Sequence, residues 1–243
     1  NMHSKKETLE ANPLLKQEGL IGSVSYVDVQ MDDYKIAEWL KNEALNKGVD
    51  LKENNEVVSF CENGSLTTRG SETLNYDFIV NAAGPWAKEL LKTNNIQSNF
   101  NMSLVRGSHL ILDFKIQSPL VLQSTKDKRI VFMLPLDNGC LLGTTEYSHN
   151  IKDPIVCTQI ERDYLVDIAN TYLEKTLTQK NIISDYAGVR PLVFDSNTMD
   201  VSKINRDSAI ELNESLINIF GGKWTSGPSL GEKVSDMIES SFR

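Results

Sequence analysis

The sequence contains few cysteines, and they follow no recognisable pattern. Cys61, Cys140 and Cys157 lie far apart, with no Cys-x-x-Cys pair and no neighbouring histidine. This spacing argues against a disulfide framework and against a zinc site. We therefore predict no metal centre and interpret all three cysteines as buried thiols.

The sequence also lacks a long apolar run and an excess of basic residues. No stretch approaches the roughly 18 apolar residues of a membrane-spanning helix, and the polar start, residues 1–10, does not resemble a signal peptide. The chain has 33 acidic and 25 basic residues, and no basic run with aromatic residues between the charges. Because such a chain repels a phosphate backbone, we expect no nucleic-acid partner. From the missing apolar run and the polar start we predict a cytoplasmic protein.

The sequence does contain a mixture of helix and strand patterns. From Asp32 to Lys47 apolar residues recur at helical spacing, with Asp32 suited to the cap and Gly48 to the stop, which predicts a helix. Asn63-Gly64 lies between two short β-rich runs and predicts a hairpin turn. A second helix is predicted within Cys157 to Lys175, where it would cover a sheet.

Most strand candidates lie after residue 103, and several are joined by turn residues. They are Leu104–Phe114, Ile130–Leu134, Cys140–Glu146, Ile183–Pro191, Ser208–Leu212 and Leu216–Phe220. Asp137-Asn138-Gly139 turns one candidate back onto the next, as in an antiparallel sheet. These patterns predict an α+β fold with a largely antiparallel sheet backed by helices.

Two junctions between a strand and a helix are rich in small residues. Tyr76–Asn81 runs into Ala82-Ala83-Gly84-Pro85, and the last strand candidate runs into Gly221-Gly222-Lys223-Trp224-Thr225. At the second junction, paired glycines let the backbone approach a ligand, and the helix start offers unpaired N–H groups to an anion. A plain connection between two elements is the alternative interpretation of this junction.

A few polar residues stand where strands begin or end. His109 could be a general base or a hydrogen-bonded structural histidine. Arg190 has apolar neighbours, so its charge must be paired or directed into a cavity. Arg206 could bind an anion or pair with Asp207, and Lys223 could bind a phosphate or a cofactor edge or be solvated. Taken singly, these residues leave both interpretations open.

Several short motifs follow one another along the chain. They are Tyr26-Val27-Asp28 with Asp32-Asp33; Val80-Asn81-Ala82-Ala83-Gly84-Pro85-Trp86; Arg106-Gly107-Ser108-His109; Gly143-Thr144-Thr145-Glu146 with Gly188-Val189-Arg190-Pro191-Leu192; and Phe220-Gly221-Gly222-Lys223-Trp224-Thr225. Taken together, these motifs resemble those of the FAD-dependent glycerol-3-phosphate dehydrogenases of the D-amino-acid-oxidase-like superfamily. Their order and rough spacing match that family from about residue 12 to the end.

The resemblance implies a role for each candidate residue. His109 would act near the reacting hydroxyl of glycerol 3-phosphate, with Arg190 beside it in the catalytic set. Arg206 and Lys223 would bind the substrate, and Lys223 would also border the flavin. The implied contacts with FAD are Val58, Ala82, Ala83, Gly84, Trp86, Gly221, Gly222, Lys223, Trp224 and Thr225.

The sequence departs from the family in one important motif. The family's Gly-x-Gly-x-x-Gly pyrophosphate motif occurs nowhere in this sequence. The resemblance implies a polar leader at 1–11, a partial FAD-binding layer with a β-meander at 12–103, a substrate domain at 104–185, and a return to the FAD-binding layer at 186–243. The family's C-terminal helical domain has no counterpart either.

The sequence therefore predicts a portion of a flavin-dependent enzyme that oxidises sn-glycerol 3-phosphate to dihydroxyacetone phosphate, inactive as this chain alone. For the longer protein, a peripheral membrane contact for quinone reduction and a homodimer are left open. Two alternative functions also remain. One is a related flavin oxidoreductase acting on a 2-hydroxy acid or an amino acid, and the other is a non-catalytic binding or assembly module.

Overall fold

The computed structural model describes residues 1–70, 72–195 and 208–242. The helices are α1 (Lys5–Ala11), α2 (Asp33–Asn46), α3 (Ala87–Thr93), α4 (Gln159–Tyr172) and α5 (Gly227–Ser241). The strands are β1 (Met2–Ser4), β2 (Gly22–Val24), β3 (Val57–Phe60), β4 (Ser65–Thr68), β5 (Thr73–Asn75), β6 (Ile79–Asn81), β7 (Phe100–Leu112), β8 (Leu120–Gln123), β9 (Ile130–Leu136), β10 (Gly139–Gly143), β11 (Tyr147–Ser148), β12 (Ile182–Asp195), β13 (Ser208–Asn213) and β14 (Leu216–Gly221).

This arrangement confirms the predicted α+β class, and most of its pairings are antiparallel. Helix α2 lies within the predicted range, and the Asp32 carboxylate caps it by accepting a hydrogen bond from the Lys35 N–H at 3.1 Å. The Asn63-Gly64 turn joins β3 to β4, with Gly64 at a φ of +88°. Since an L-residue rarely adopts that conformation, glycine suits this hairpin.

The chain divides into two compact units, each made of two separate stretches. The first contains Asn1–Asp28 and Val105–Val189, and the second contains Val29–Leu104 and Arg190–Arg243. Residues 12–28 therefore belong with the first unit, although the sequence placed them with 29–103. The Lys16 N–H donates to the Tyr172 carbonyl at 2.8 Å, which joins this stretch to the end of α4.

The segment interpreted as a polar leader has regular structure. Strand β1 pairs with β2, and Ser4 begins α1. The Glu7 N–H donates to Ser4 Oγ while the Ser4 N–H donates to the Glu7 carboxylate, which forms a capping box. The Ser-x-x-Glu spacing that predicts such a helix start is therefore present in residues 1–11.

In the first unit, an antiparallel sheet packs one face against α4. The order β11-β7-β10-β9-β8 is extended by β12, which also pairs with β7. Leu110, Met133 and Leu142 on the sheet and Leu165 on the helix are fully buried in one apolar core. Because side chains alternate along a strand, the neighbours of these residues lie on the opposite face.

The second unit has its own core and contains a parallel strand pair. Strand β14 lies between β13, which is antiparallel to it, and β6, which is parallel. Ile79, Leu91, Leu216 and Phe220 are buried together there. A parallel pair brings the carboxyl ends of both strands to the same edge, and this places the glycine-rich junctions.

The interpretation of all three cysteines as buried thiols is wrong for Cys61. Cys140 and Cys157 are buried, and burial raises the pKa of the Cys140 thiol to about 12. Cys61 is exposed, because it follows the last residue of β3 in the hairpin turn.

Candidate flavin and substrate site

The two small-residue junctions lie at one edge of the second unit's sheet. Asn81, which ends β6, is directly opposite Asn218 of the parallel strand β14. The Ala82-Ala83-Gly84 junction and the Gly221-Gly222 junction therefore leave the sheet at the same edge, and each leads through a single 3-10 turn into a helix. In open sheets with parallel strands, this edge is where ligands bind.

A buried pair of asparagines connects the two junctions. Asn81 Nδ2 donates to Asn218 Oδ1 at 3.0 Å and to the Ala87 carbonyl at 3.2 Å, and Asn81 Oδ1 accepts a longer bond of 3.4 Å from the Ala83 N–H. Asn218 is fully buried, and its Nδ2 has no acceptor among the described residues. These bonds fix the start of the Ala82-Ala83-Gly84 junction against β14.

Glycine determines the backbone conformation of both junctions. Gly84, Gly221 and Gly222 have φ angles of +56°, +69° and +101°, which L side chains rarely adopt. A Cβ added at Gly84 would meet no atom within 4 Å, so the backbone there faces open space. This is the arrangement that close approach of a planar ligand requires.

Several predicted flavin contacts surround these junctions in the second unit. Lys223 is exposed and begins the 3-10 turn Trp224–Ser226, where the Ser226 hydroxyl donates to the Lys223 carbonyl at 2.9 Å. Trp224 is half exposed and lines an open cavity of about 300 Å³ with Asp33, Tyr34 and Ala37. The cavity offers an aromatic wall next to the glycine junction.

The other predicted site residues are spread over several elements. In the second unit, Val58 lies on β3 and is partly buried, Trp86 is half exposed, and Thr225 is exposed. Arg190, on β12, is also partly buried and belongs to the same unit. Arg206 lies outside the described residues.

His109 belongs to the first unit, on β7. Its ring stacks on that of Tyr186 in β12, with centroids 4.9 Å apart and planes inclined by 12°. Its strand neighbours Ser108 and Leu110 are fully buried. By alternation, the histidine is therefore on the sheet face opposite the α4 core.

A buried carboxylate lies under the segment that carries His109. Glu161 of α4 is fully buried and accepts hydrogen bonds from Ser108 Oγ and Thr145 Oγ1, each at 2.8 Å. Arg106 Nη2 donates to its other oxygen at 2.8 Å. Thr158 adds bonds from its N–H at 3.0 Å and its hydroxyl at 2.7 Å. One carboxylate thus joins α4 to β7 and to the turn after β10.

This environment determines the charge of Glu161. Burial disfavours the ionised form and would raise the pKa, but the hydrogen bonds from Thr158, Ser108 and Thr145 together outweigh burial and lower the pKa from 4.5 to about 2. Glu161 is therefore ionised at neutral pH. Arg106 is its ion-pair partner, with 14% of the side chain exposed.

The sequence interpretation did not identify Glu161, Asn81 or Asn218 as site-forming residues, although each had a signal. Thr158-x-x-Glu161 is a capping-box pattern, and this box is present at the start of α4. Asn218 interrupts the apolar strand Leu216-Ile217-Asn218-Ile219-Phe220. A polar residue there must find a hydrogen-bonding partner when the strand is buried.

The described part of the chain contains neither a metal-binding cluster nor a membrane-spanning helix. No group of three or more His, Cys, Asp or Glu side chains there is arranged to hold a metal ion. None of the described helices is long and apolar enough to cross a membrane.

Dinucleotide-binding folds hold their ligand at the carboxyl edge of parallel strands, and two junctions of this chain lie at such an edge. A family model described as FAD dependent oxidoreductase matches residues 2–237. The chain belongs to this family.

Among curated proteins, the chain is 30% identical over 258 residues to the aerobic glycerol-3-phosphate dehydrogenase of Staphylococcus aureus strain USA300. That match covers 100% of this chain and 46% of the relative, so the chain spans about half the length of the curated relatives it matches.

Two solved structures are also similar to this chain. The glycerol-3-phosphate dehydrogenase from Bacillus halodurans, complexed with FAD, matches with a TM-score of 0.88 and 26% identity, covering 99% of this chain and 49% of that one. The L-alpha-glycerophosphate oxidase of Mycoplasma pneumoniae, with FAD bound, has a TM-score of 0.76 and 21% identity, covering 98% of this chain and 64% of that one. The second match shows the fold alone.

Proposed function

We propose that the longer protein oxidises sn-glycerol 3-phosphate to dihydroxyacetone phosphate with FAD, and that this chain supplies the substrate side and part of the flavin side. The observation that carries the proposal is the meeting of the two glycine-containing junctions at one sheet edge. Similarity to glycerol-3-phosphate dehydrogenases over the whole chain supports the choice of substrate.

Each candidate residue has a defined task in this reaction. When bound, FAD would supply the hydride acceptor that oxidation of the secondary alcohol requires. His109 takes the proton of the reacting hydroxyl, because loss of the hydride requires loss of this proton as well. Arg190 orients the reacting part of the substrate, while Arg206 and Lys223 hold the phosphate dianion by charge-assisted hydrogen bonds.

The second unit fits the flavin end of FAD. Open space at Gly84 allows close approach of the backbone there, and the positive φ angles of Gly221 and Gly222 shape the second junction, which Trp224 and Thr225 extend. Val58, Ala82, Ala83 and Trp86 complete the proposed contacts, with Val58 at the adenine end. No Gly-x-Gly-x-x-Gly motif is present to hold the pyrophosphate.

We expect this chain alone to bind FAD too weakly to retain it through purification and to show no turnover. The two junctions hold only the flavin end of the dinucleotide, the pyrophosphate motif is missing, and binding must still offset the entropy of association. A visible absorption spectrum of the purified chain, before and after added FAD and gel filtration, measures this. Retained flavin that bleaches with glycerol 3-phosphate would contradict the expectation.

In the longer protein, Lys223→Met is expected to raise the KM for glycerol 3-phosphate by about 10- to 100-fold. Loss of a hydrogen bond to a charged group costs about 1.5–3 kcal/mol. Arg206→Met tests the second phosphate cation in the same way. Initial rates with glycerol 3-phosphate and with glycine, which carries a carboxylate and no phosphate, measure the effect.

Lys233→Met is the matched control. Lys233 is exposed on α5, and its substitution removes the same charge as Lys223→Met. An unchanged KM in both Lys223→Met and Arg206→Met would refute the phosphate assignment. Efficient turnover of glycine with poor turnover of glycerol 3-phosphate would favour the alternative amino-acid substrate.

The proposed substrate is a small molecule. A peripheral membrane contact for quinone reduction, a homodimer and a cytoplasmic location belong to this proposal for the longer protein.

A further inference from the structure

The ring of His109 lies between two neighbouring strands in an unusually restricted space. Strand β10 pairs with β7 so that Gly143 is directly opposite His109, and β12 pairs with β7 as well. All these residues lie in the first unit. The local geometry can therefore be described without reference to the second unit.

Gly143 leaves the space that the imidazole occupies. A Cβ added to Gly143 would lie 2.2 Å from His109 Cδ2, 2.8 Å from Cγ and 3.0 Å from Nε2. These separations are far below the van der Waals contact of carbon atoms, about 3.5 Å. The imidazole thus lies directly over the Gly143 Cα, and any larger residue there must displace it.

Tyr186 restricts the same ring from β12. The two ring planes are nearly parallel, and a centroid distance of 4.9 Å is that of an offset stack. Tyr186 is 49% exposed, so its ring contributes little to the buried core. An exposed aromatic ring stacked on a histidine limits the rotation of the imidazole about χ2.

We propose that Gly143 and Tyr186 are positioning residues that together fix the orientation of the His109 imidazole. This inference rests on the proposed function, in which His109 accepts the substrate proton. A base must point its nitrogen at that proton, and a displacement of 1 Å at a reacting centre costs about 100-fold in rate. Gly143 on β10 provides space for the imidazole because it has no side chain, and the flat ring of Tyr186 on β12 fixes the plane of the imidazole.

The first test observes the ring directly by NMR in this chain. The sequence has only three histidines, so the His109 ring signals can be assigned with a His109→Asn variant. We expect a nuclear Overhauser effect between His109 Hδ2 and the Gly143 Hα protons. We also expect a ring-current shift of the His109 signals caused by Tyr186.

Gly143→Ala is expected to abolish the Overhauser contact, and Tyr186→Leu to abolish the ring-current shift. Tyr186→Phe retains the flat ring and should restore the native signals. Gly188→Ala is the control on β12, because a Cβ there would meet no atom within 4 Å. Since Tyr186 is half exposed, Tyr186→Leu keeps the test available even where Gly143→Ala does not fold.

The second test measures steady-state kinetics in the longer protein. Gly143→Ala and Tyr186→Leu are expected to lower kcat by about 10- to 100-fold with little change in KM, and Tyr186→Phe to retain the native kcat. A His109 ring that keeps its native signals in both variants would overturn the inference.

A ring that moves without any change in kcat would overturn it as well. The role of His109 as the base is tested separately, by whether His109→Asn lowers kcat, and the proposed reaction is tested by whether glycerol 3-phosphate bleaches the flavin of the longer protein. Failure of the positioning inference therefore does not coincide with failure of the proposed reaction.

Discussion

Replacement of Glu161 by alanine is expected to lower the free energy of unfolding by about 3–5 kcal/mol, because it leaves a largely buried Arg106 without its ion-pair partner. The same change removes the acceptor for the Ser108 and Thr145 hydroxyls. Urea unfolding of this chain, followed by circular dichroism, measures the loss.

Glu174→Ala is the matched control, since Glu174 is an exposed glutamate just beyond the same helix. We expect it to change stability by no more than about 0.5 kcal/mol. Equal losses in the two variants would show that the buried hydrogen bonds of Glu161 do not contribute to the fold.

The contribution of Glu161 should also depend on pH in a defined direction. Its pKa in the folded state, about 2, lies below its ordinary value of 4.5, so ionisation of the folded protein favours folding. The contribution of ionised Glu161 to the free energy of unfolding is complete above pH 4.5 and is lost as the pH falls towards 2. It amounts to about 3 kcal/mol at neutral pH. The stability difference between the native chain and Glu161→Gln should therefore shrink over this interval.

Replacement of His109 by asparagine is expected to lower kcat for glycerol 3-phosphate by about 10²- to 10⁴-fold in the longer protein, the usual effect of losing a general base. The KM should change little, because the proposed phosphate contacts come from Arg206 and Lys223. Anaerobic bleaching of the flavin, followed by stopped-flow absorption, isolates the hydride-transfer step.

His3→Asn is the control for a change of the same residue type, since His3 lies on β1 and bonds to Ser25 Oγ at 2.7 Å. A native rate of flavin bleaching in His109→Asn would show that another group takes the proton. The proposed flavin reaction could then still hold, with a different base.

Much of the fold could be predicted from local sequence signals. Asp32 and Gly48 mark the ends of α2, and Asn63-Gly64 marks the hairpin between β3 and β4. These signals are local because caps and tight turns depend on few neighbouring residues. Strand β8 was not predicted, although its residues Leu120–Gln123 alternate in burial. So short a run provides too few alternations to identify a strand.

The candidate site was only partly predictable, because much of its geometry arises from long-range pairing. Glycine-rich sequence identified Gly221 and Gly222, and the resemblance identified Ala82 to Gly84. No local pattern says that Asn81 and Asn218 are partners. The contact of His109 with Gly143 likewise depends on the register of β7 against β10.

The parallel pairing of β6 with β14 has a consequence for the order of folding. Asn81 and Asn218 are 137 residues apart in the chain, so their hydrogen bond closes a very long loop. Closing a loop of that length costs on the order of 4 kcal/mol of chain entropy, whereas the hairpin at Asn63-Gly64 closes locally. The two junctions consequently come together only after distant parts of the chain have met, and the edge proposed to receive the flavin is among the last features that folding creates.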